Sequence, residues 1–218
     1  ASQISNGIAG IVEQRQQANI GSGLNSGDAM FASKNVWLKT YGSFGKQNDK
    51  DGLNGFDLNT YGLGIGIDGE YNDNQNIGIA LFYTRAKLDV NHLAQSSNMD
   101  VFTTLVYGNV PVIDSKTNFL YQLGYSFQQT DSSRTIFTGQ TAYADYTSNT
   151  ASLDLKLMRD VEVNKALLFQ PIVSTTYRHF NNPSYSETDA AANGLNVRSF
   201  TSSELLLGVG TLAHYKLD

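Results

Sequence analysis

The sequence predicts an all-β fold in which antiparallel strands follow one another up and down, preceded by one N-terminal helix. Three observations predict it. From Asn35 onward, apolar and polar residues alternate with a period of two through eight successive stretches. These stretches run to roughly 10–14 residues, against about 5–6 for an ordinary globular strand. The connectors between them alternate between short and long. A tilted strand crosses a bilayer in about 9–11 residues, and an outer-membrane barrel has tight turns at one end and longer loops at the other. A soluble barrel or sandwich with its apolar face inward also fits the alternation. Strand length, sorted loops and tyrosines near strand ends (Tyr61, Tyr71, Tyr83, Tyr107, Tyr177, Tyr215) favour lipid, because Tyr anchors at headgroup level.

Residues 1–34 are expected to form a separate linker. Ile4, Ile8, Ile11 and Val12 recur at helical spacing, and Glu13–Ala18 continues with good helix formers. Gly21–Asp28 (GSGLNSGD) then stacks turn residues and ends the helix. Its apolar stripe is too narrow to hold a soluble core alone. Residues 35–218 carry the strands.

The first stretch, Asn35–Gly45, sets Trp37, Lys39, Tyr41 and Ser43 against Val36, Leu38, Thr40 and Phe44. Thr60–Tyr71 sets Tyr61, Leu63, Ile65, Ile67 and Tyr71 against Gly62, Gly64, Gly66, Asp68 and Glu70. Ile77–Lys87 groups Ile77, Ile79, Leu81 and Tyr83. Asn98–Val110 is less regular, and Val101, Leu105 and Tyr107 read as its apolar face. Asn118–Gln129, Tyr143–Arg159, Leu167–Arg178 and Ser203–Lys216 repeat the alternation. Short connectors are Asn72–Asn76, Asp114–Thr117 and Glu162–Lys165; long ones are Lys46–Asn59, Asn91–Ser97, Thr130–Ala142 and His179–Arg198.

Composition narrows the function. The 218 residues carry a net charge of −5, no Cys and only 16% charged residues, with 20 Gly, 12 Tyr and 11 Phe. A negative balance argues against nucleic acid as a partner, since that needs a basic footprint. Without Cys there is no disulfide framework, thiol nucleophile or Cys-based zinc site. The longest near-apolar run, Leu205–Ala213, is too short for a spanning helix of about 20 residues. Closed β-barrels cross membranes without one. No secretory signal is visible, so Ala1 reads as the start of a mature or trimmed chain.

Gly64–Gly69 fits G-x-G-x-x-G, but those glycines lie inside an alternating strand rather than at a strand-to-helix turn, so no nucleotide site is expected. His92, His179 and His214 are dispersed, so neither a metal site nor a cofactor is expected. No catalytic set emerges.

At Val36–Lys46 (VWLKTYGSFGK) and Thr60–Tyr71 (TYGLGIGIDGEY) the chain resembles the translocator domain of bacterial autotransporters, the type V secretion family. Leu167–Phe180 looks like that family's strand with an internal Pro, and Ser203–Tyr215 like its later LxLGVG strand. The helix and Gly-rich stretch of residues 1–34 match its linker, which threads the barrel. The resemblance implies a transmembrane up-and-down barrel of twelve strands. About eight are present here, and the chain ends Lys216-Leu217-Asp218 without a terminal aromatic, so a C-terminally truncated barrel is expected.

The resemblance further implies an outer-membrane anchor and translocator for an N-terminal passenger, without enzymatic activity of its own. The implied partners are outer-membrane lipid, the passenger and, for a truncated chain, the barrel-assembly machinery. On this reading Gly62, Gly64, Gly66, Gly78, Gly124, Gly208 and Gly210 make room for the linker helix. Lys39, Asp68, Glu70, Asp154, Lys156, Arg178 and Glu204 line the lumen and complement Glu13, Arg15 and the neighbouring Gln residues. Some family members cut their linker through an Asn; Asn19 and Asn25 are the positions that arise here, with Asp154, Glu204 or Arg178 as supports, although a turn-forming role explains such Asn residues better. The competing functions are a small ligand-binding barrel with a lumenal pocket and a membrane-embedded enzyme.

Overall fold

The computed structural model describes residues 2–21, 34–72, 74–164, 166–190 and 193–215. Helix α1 spans Ser2–Gly21. Strands follow as β1 (Lys34–Gln47), β2 (Phe56–Asn72), β3 (Gln75–Val90), β4 (Gln95–Pro111), β5 (Thr117–Thr135), β6 (Thr141–Arg159), β7 (Val161–Glu162), β8 (Leu167–Asn182), β9 (Tyr185–Ser186), β10 (Asn196–Val197) and β11 (Phe200–Tyr215). Each long strand pairs antiparallel with its neighbour in the order β1-β2-β3-β4-β5-β6-β8-β11, and β7 extends the β6 edge along β8. Among the described residues, β1 and β11 are the edges of this sheet and do not pair with each other. Residues 22–33, which hold most of the Gly-rich linker with Asn25, and Lys216 lie outside the described residues.

The long strands run 14–19 residues, several more than the alternation predicts. The added residues lie at the end where the longer loops were expected. There β2–β3 pairs out to Phe56↔Val90, β4–β5 to Gln95↔Arg134, and β5–β6 to Thr135↔Thr141. The expected loop Thr130–Ala142 is therefore mostly strand, and Asn91–Ser97 shortens to the four-residue connector 91–94. Antiparallel pairing satisfies backbone donors and acceptors whatever the side chains, so loss of the hydrophobic alternation does not stop a strand. The hairpins stand proud as a polar collar. At one tip, Asp51 and Gly52 take φ of 53° and 79° between the paired Lys50 and Leu53, as a two-residue hairpin turn requires.

One face of the sheet presents Val36, Leu38, Leu63, Ile65, Ile79, Leu81, Leu123, Leu207 and Val209, all exposed. The other face curls around α1. Gln3 lies over Gly45 of β1, Arg15 reaches β2, Gln16 meets β4 and β5, Glu13 meets β6, and Ser2 meets β11. Contact with strands from one edge to the other requires a sheet wrapped around a single helix. The expected faces hold for most strands, but β4 is reversed. Val101, Leu105 and Tyr107 are buried inside against α1, whereas Phe102 and Val106 are exposed outside. The reason is that both faces of β4 are apolar: one meets the helix, the other faces outward. Tyr107 is consequently not a headgroup anchor.

Candidate functional site

The interior around α1 has two unlike walls. Ile4, Ile8 and Val12 form one stripe of the helix, with the apolar interior of β2–β4 (Leu58, Ala80, Phe82, Met99, Val101, Leu105) packed around them. Trp37 and Tyr41 of β1 complete this wall. Rings lie across neighbouring glycines. A Cβ at Gly66 would strike the Trp37 indole, one at Gly64 the Phe82 ring, and those at Gly62 and Gly78 the Tyr41 and Tyr107 rings. This corrects the role expected for these glycines. They make room for aromatic side chains of adjoining strands, and α1 rests on that aromatic layer. Trp37 and Phe82 stand 5.9 Å apart between centroids, and Tyr41 meets Phe82 edge-on at 6.1 Å.

At the turn end, this wall is closed by one polar cluster. Asp68 is 1% exposed and accepts from Arg15 Nε at 2.8 Å, Arg15 Nη2 at 2.9 Å and Tyr107 Oη at 2.7 Å. Trp37 Nε1 donates to Tyr107 Oη at 2.7 Å. The pair is bidentate and most of its hydrogen-bonding capacity is used, which is the condition for a buried ion pair to hold. Next to it, Gln16 Nε2 donates to the carbonyls of Gly108 and Tyr121 at 2.6 and 3.0 Å, and Gln122 Nε2 donates to Gln16 Oε1 at 2.9 Å.

The opposite wall, made by β6, β8 and β11, is charged. Arg178, 1% exposed, lies 3.2 Å from Glu204 and 3.7 Å from Asp154. Thr176 Oγ1 donates to Asp154 at 2.6 Å, Lys156 pairs with Glu13 of the helix, and Ser2 Oγ donates to Glu204 at 3.1 Å. A cavity of about 190 Å³ separates α1 from this wall, lined on the helix side by Asn6, Ala9, Gly10, Glu13 and Gln16.

The structure thus brings Arg15 to Asp68, Glu13 to Lys156, and Arg178 between Asp154 and Glu204. Glu70 departs from expectation. It is exposed at the turn and accepts from the Asn74 amide at 2.6 Å, away from α1. Lys39 is exposed on β1. Gly124 and Gly208 face the Ser152 and Ser174 hydroxyls, and Gly210 has open space above it. Asp154 and Arg178 line that cavity with Asn6, Glu204 pairs with Arg178, and Asn19 does not line it. Sequence reasoning did not single out Trp37 and Phe82 as residues packed around the helix. The available signal was glycines in register with aromatics on the next strand.

A curled antiparallel sheet, greasy outside and filled by a helix held through paired charges, defines an outer-membrane β-barrel domain with an occupied bore. The model of the Autotransporter beta-domain family matches residues 36–218, and the chain belongs to that family. The translocator domain of autotransporter NalP from Neisseria meningitidis superposes with a TM-score of 0.73 at 14% identity, covering 96% of this chain and 70% of that one. The beta domain of the Bordetella autotransporter BrkA gives 0.62 at 17% identity, covering 81% and 69%. These two show the fold. By sequence, the chain is 26% identical over 174 residues to an extracellular serine protease of Serratia marcescens, covering 72% of this chain and 15% of that protein. It is 25% identical over 199 residues to outer membrane protein B of Rickettsia prowazekii, covering 86% and 12%. The chain therefore spans less than a sixth of the length of the relatives it matches. The domain is an outer-membrane translocator domain, and its setting is the bacterial outer membrane.

Proposed function

We propose that residues 1–34 are the linker threading the lumen of the barrel domain of residues 35–218, and that this barrel carries the polypeptide preceding α1 to the cell surface. The orientation of α1 supports this reading. Gln3 lies by the collar end of β1, and Gln16 lies by the turn end of β4 and β5. A chain continuing upstream of Ser2 would leave through the collar. The outward apolar face supplies the anchor in lipid, and Asp68 with Arg15, together with Lys156 and Glu13, fixes the helix.

On this reading the domain itself is a conduit and anchor, not a catalyst; the protease activity in the names of the Serratia relatives is said of those proteins. The barrel-assembly machinery is the partner we assign during insertion, because bare strand edges are not tolerated in hydrocarbon. An epitope placed upstream of Ser2 tests the proposal. Antibody binding on intact cells is expected. An epitope detected only after the outer membrane is permeabilised would overturn it.

A further inference from the structure

The space around α1 is unevenly filled along the barrel axis. Toward the turn end, Gln16, Leu120, Gln122, Asn118 and Met158 are all buried. Toward the collar, two cavities are stacked along β8. The deeper one, about 190 Å³, contains Ser174, Thr176 and Arg178 of β8. The outer one, about 320 Å³, is lined by uncharged polar residues, among them Gln128, Ser148, Asn182 and Ser202, with the side of Phe180. Arg178, Glu204 and Ser2 stand between the two.

Two residues that line the deeper cavity each carry a buried polar atom with no protein partner among the described residues: Arg178 Nε and Gln122 Oε1. Both belong to side chains more than nine-tenths buried. Buried donors and acceptors are satisfied almost without exception, by protein or by water. A cavity this large and this polar holds several waters.

We propose that these two cavities form one hydrated vestibule that opens at the collar and ends blind at the buried layer around Gln16 and Gln122. Small hydrophilic solutes enter it from the outer face while α1 stays docked, and the barrier between the helix and β5–β8 lies in their turn-end third.

The inference rests on the orientation under Proposed function, and single cysteines separate the two. The chain has no Cys, so each introduced thiol is the sole target. Thr138→Cys, in the exposed β5–β6 tip, reports which end faces outward. Ser148→Cys and Ser174→Cys report the outer and deeper cavities, with Thr176→Cys as a second deep position. Asn118→Cys sits in the buried layer.

Intact cells carrying the domain are treated with methanethiosulfonates bearing a trimethylammonium or a sulfonate. Thr138→Cys, Ser148→Cys and Ser174→Cys should react at least tenfold faster than Asn118→Cys with either reagent. Labelling at Thr138→Cys without labelling at Ser174→Cys or Thr176→Cys overturns the vestibule and leaves the orientation intact. No labelling at Thr138→Cys until the membrane is permeabilised overturns the orientation. Equal labelling at Asn118→Cys removes the barrier from the place assigned to it.

Discussion

Replacing Asp68 with Ala should free α1. The substitution removes the acceptor of three hydrogen bonds, two from Arg15 and one from Tyr107. Removing one member of a buried ion pair costs about 3–5 kcal/mol. Arg15 keeps a quarter of its side chain in water, so it is partly rehydrated when unpaired, and the lower end applies. A loss of about 3 kcal/mol lowers the docked-to-undocked ratio of the helix about a hundredfold.

Arg15 also supplies the assay. It is the only Lys or Arg in α1 and hence the only trypsin site there. Cleavage needs the helix to open locally, and its rate follows the open population when reclosing is fast. In detergent at neutral pH, Asp68→Ala should raise the rate of cutting after Arg15 about a hundredfold, read by mass spectrometry. Asp68→Asn, which keeps an acceptor for Tyr107, should fall between. Cleavage of Asp68→Ala within twofold of the parent would refute the reasoning that this pair holds the helix.

Other perturbations separate the inner from the outer face. Ile8→Ala, at a side chain 1% exposed, should cost about 2–5 kcal/mol and raise the same tryptic cut while leaving membrane insertion unchanged. Val106→Arg, on the outer face of β4, should destabilise the folded domain in bilayers by about 2–4 kcal/mol if it lies near the midplane, read by urea unfolding into lipid vesicles. Gly64→Leu should push Phe82 toward α1 and loosen the helix, again seen as faster cutting after Arg15. At the collar, the amide of Gly55, the side chain of Asn91 and His92 hold the Asp49 carboxyl below the usual carboxylate range. A lowered folded-state value means the stabilisation is present above the ordinary carboxylate value of about 3.9 and is lost as pH falls through the lowered one. Contacts between the 48–55 and 91–94 connectors should therefore persist at pH 5 and open only in stronger acid, followed by the titration of Asp49 in NMR spectra.

Period-two alternation locates all eight long strands because a strand between lipid and a polar bore must alternate. It fails on β4, where Leu105 and Val106 are both apolar for different reasons: one packs on Ile8 and Val12's wall, the other faces outward. A single strand carries no sign of which apolar face has a helix waiting for it. The collar is illegible for the opposite reason. Across Thr130–Thr135 both faces are polar, so only cross-strand pairing reveals the strand. The helix stripe at Ile4, Ile8 and Val12 is readable from spacing alone, and the charges Asp68, Asp154, Lys156, Arg178 and Glu204 are readable as inward from parity. Their partners are not. Which carboxylate meets Arg15 depends on strand stagger, which brings Asp68 beside Tyr107 across β3, and no local pattern encodes it.

The one tryptophan gives the most direct measurement of which face meets lipid. Trp37 points inward beside Tyr107, while Leu38, the next residue, is exposed on the outer face. In vesicles of lipids brominated along their acyl chains, the emission of Trp37 should be little quenched. In a Trp37→Phe background, Leu38→Trp should be strongly quenched. Strong quenching of Trp37 with none at Leu38→Trp would put the glycine-and-aromatic face in hydrocarbon and contradict the account.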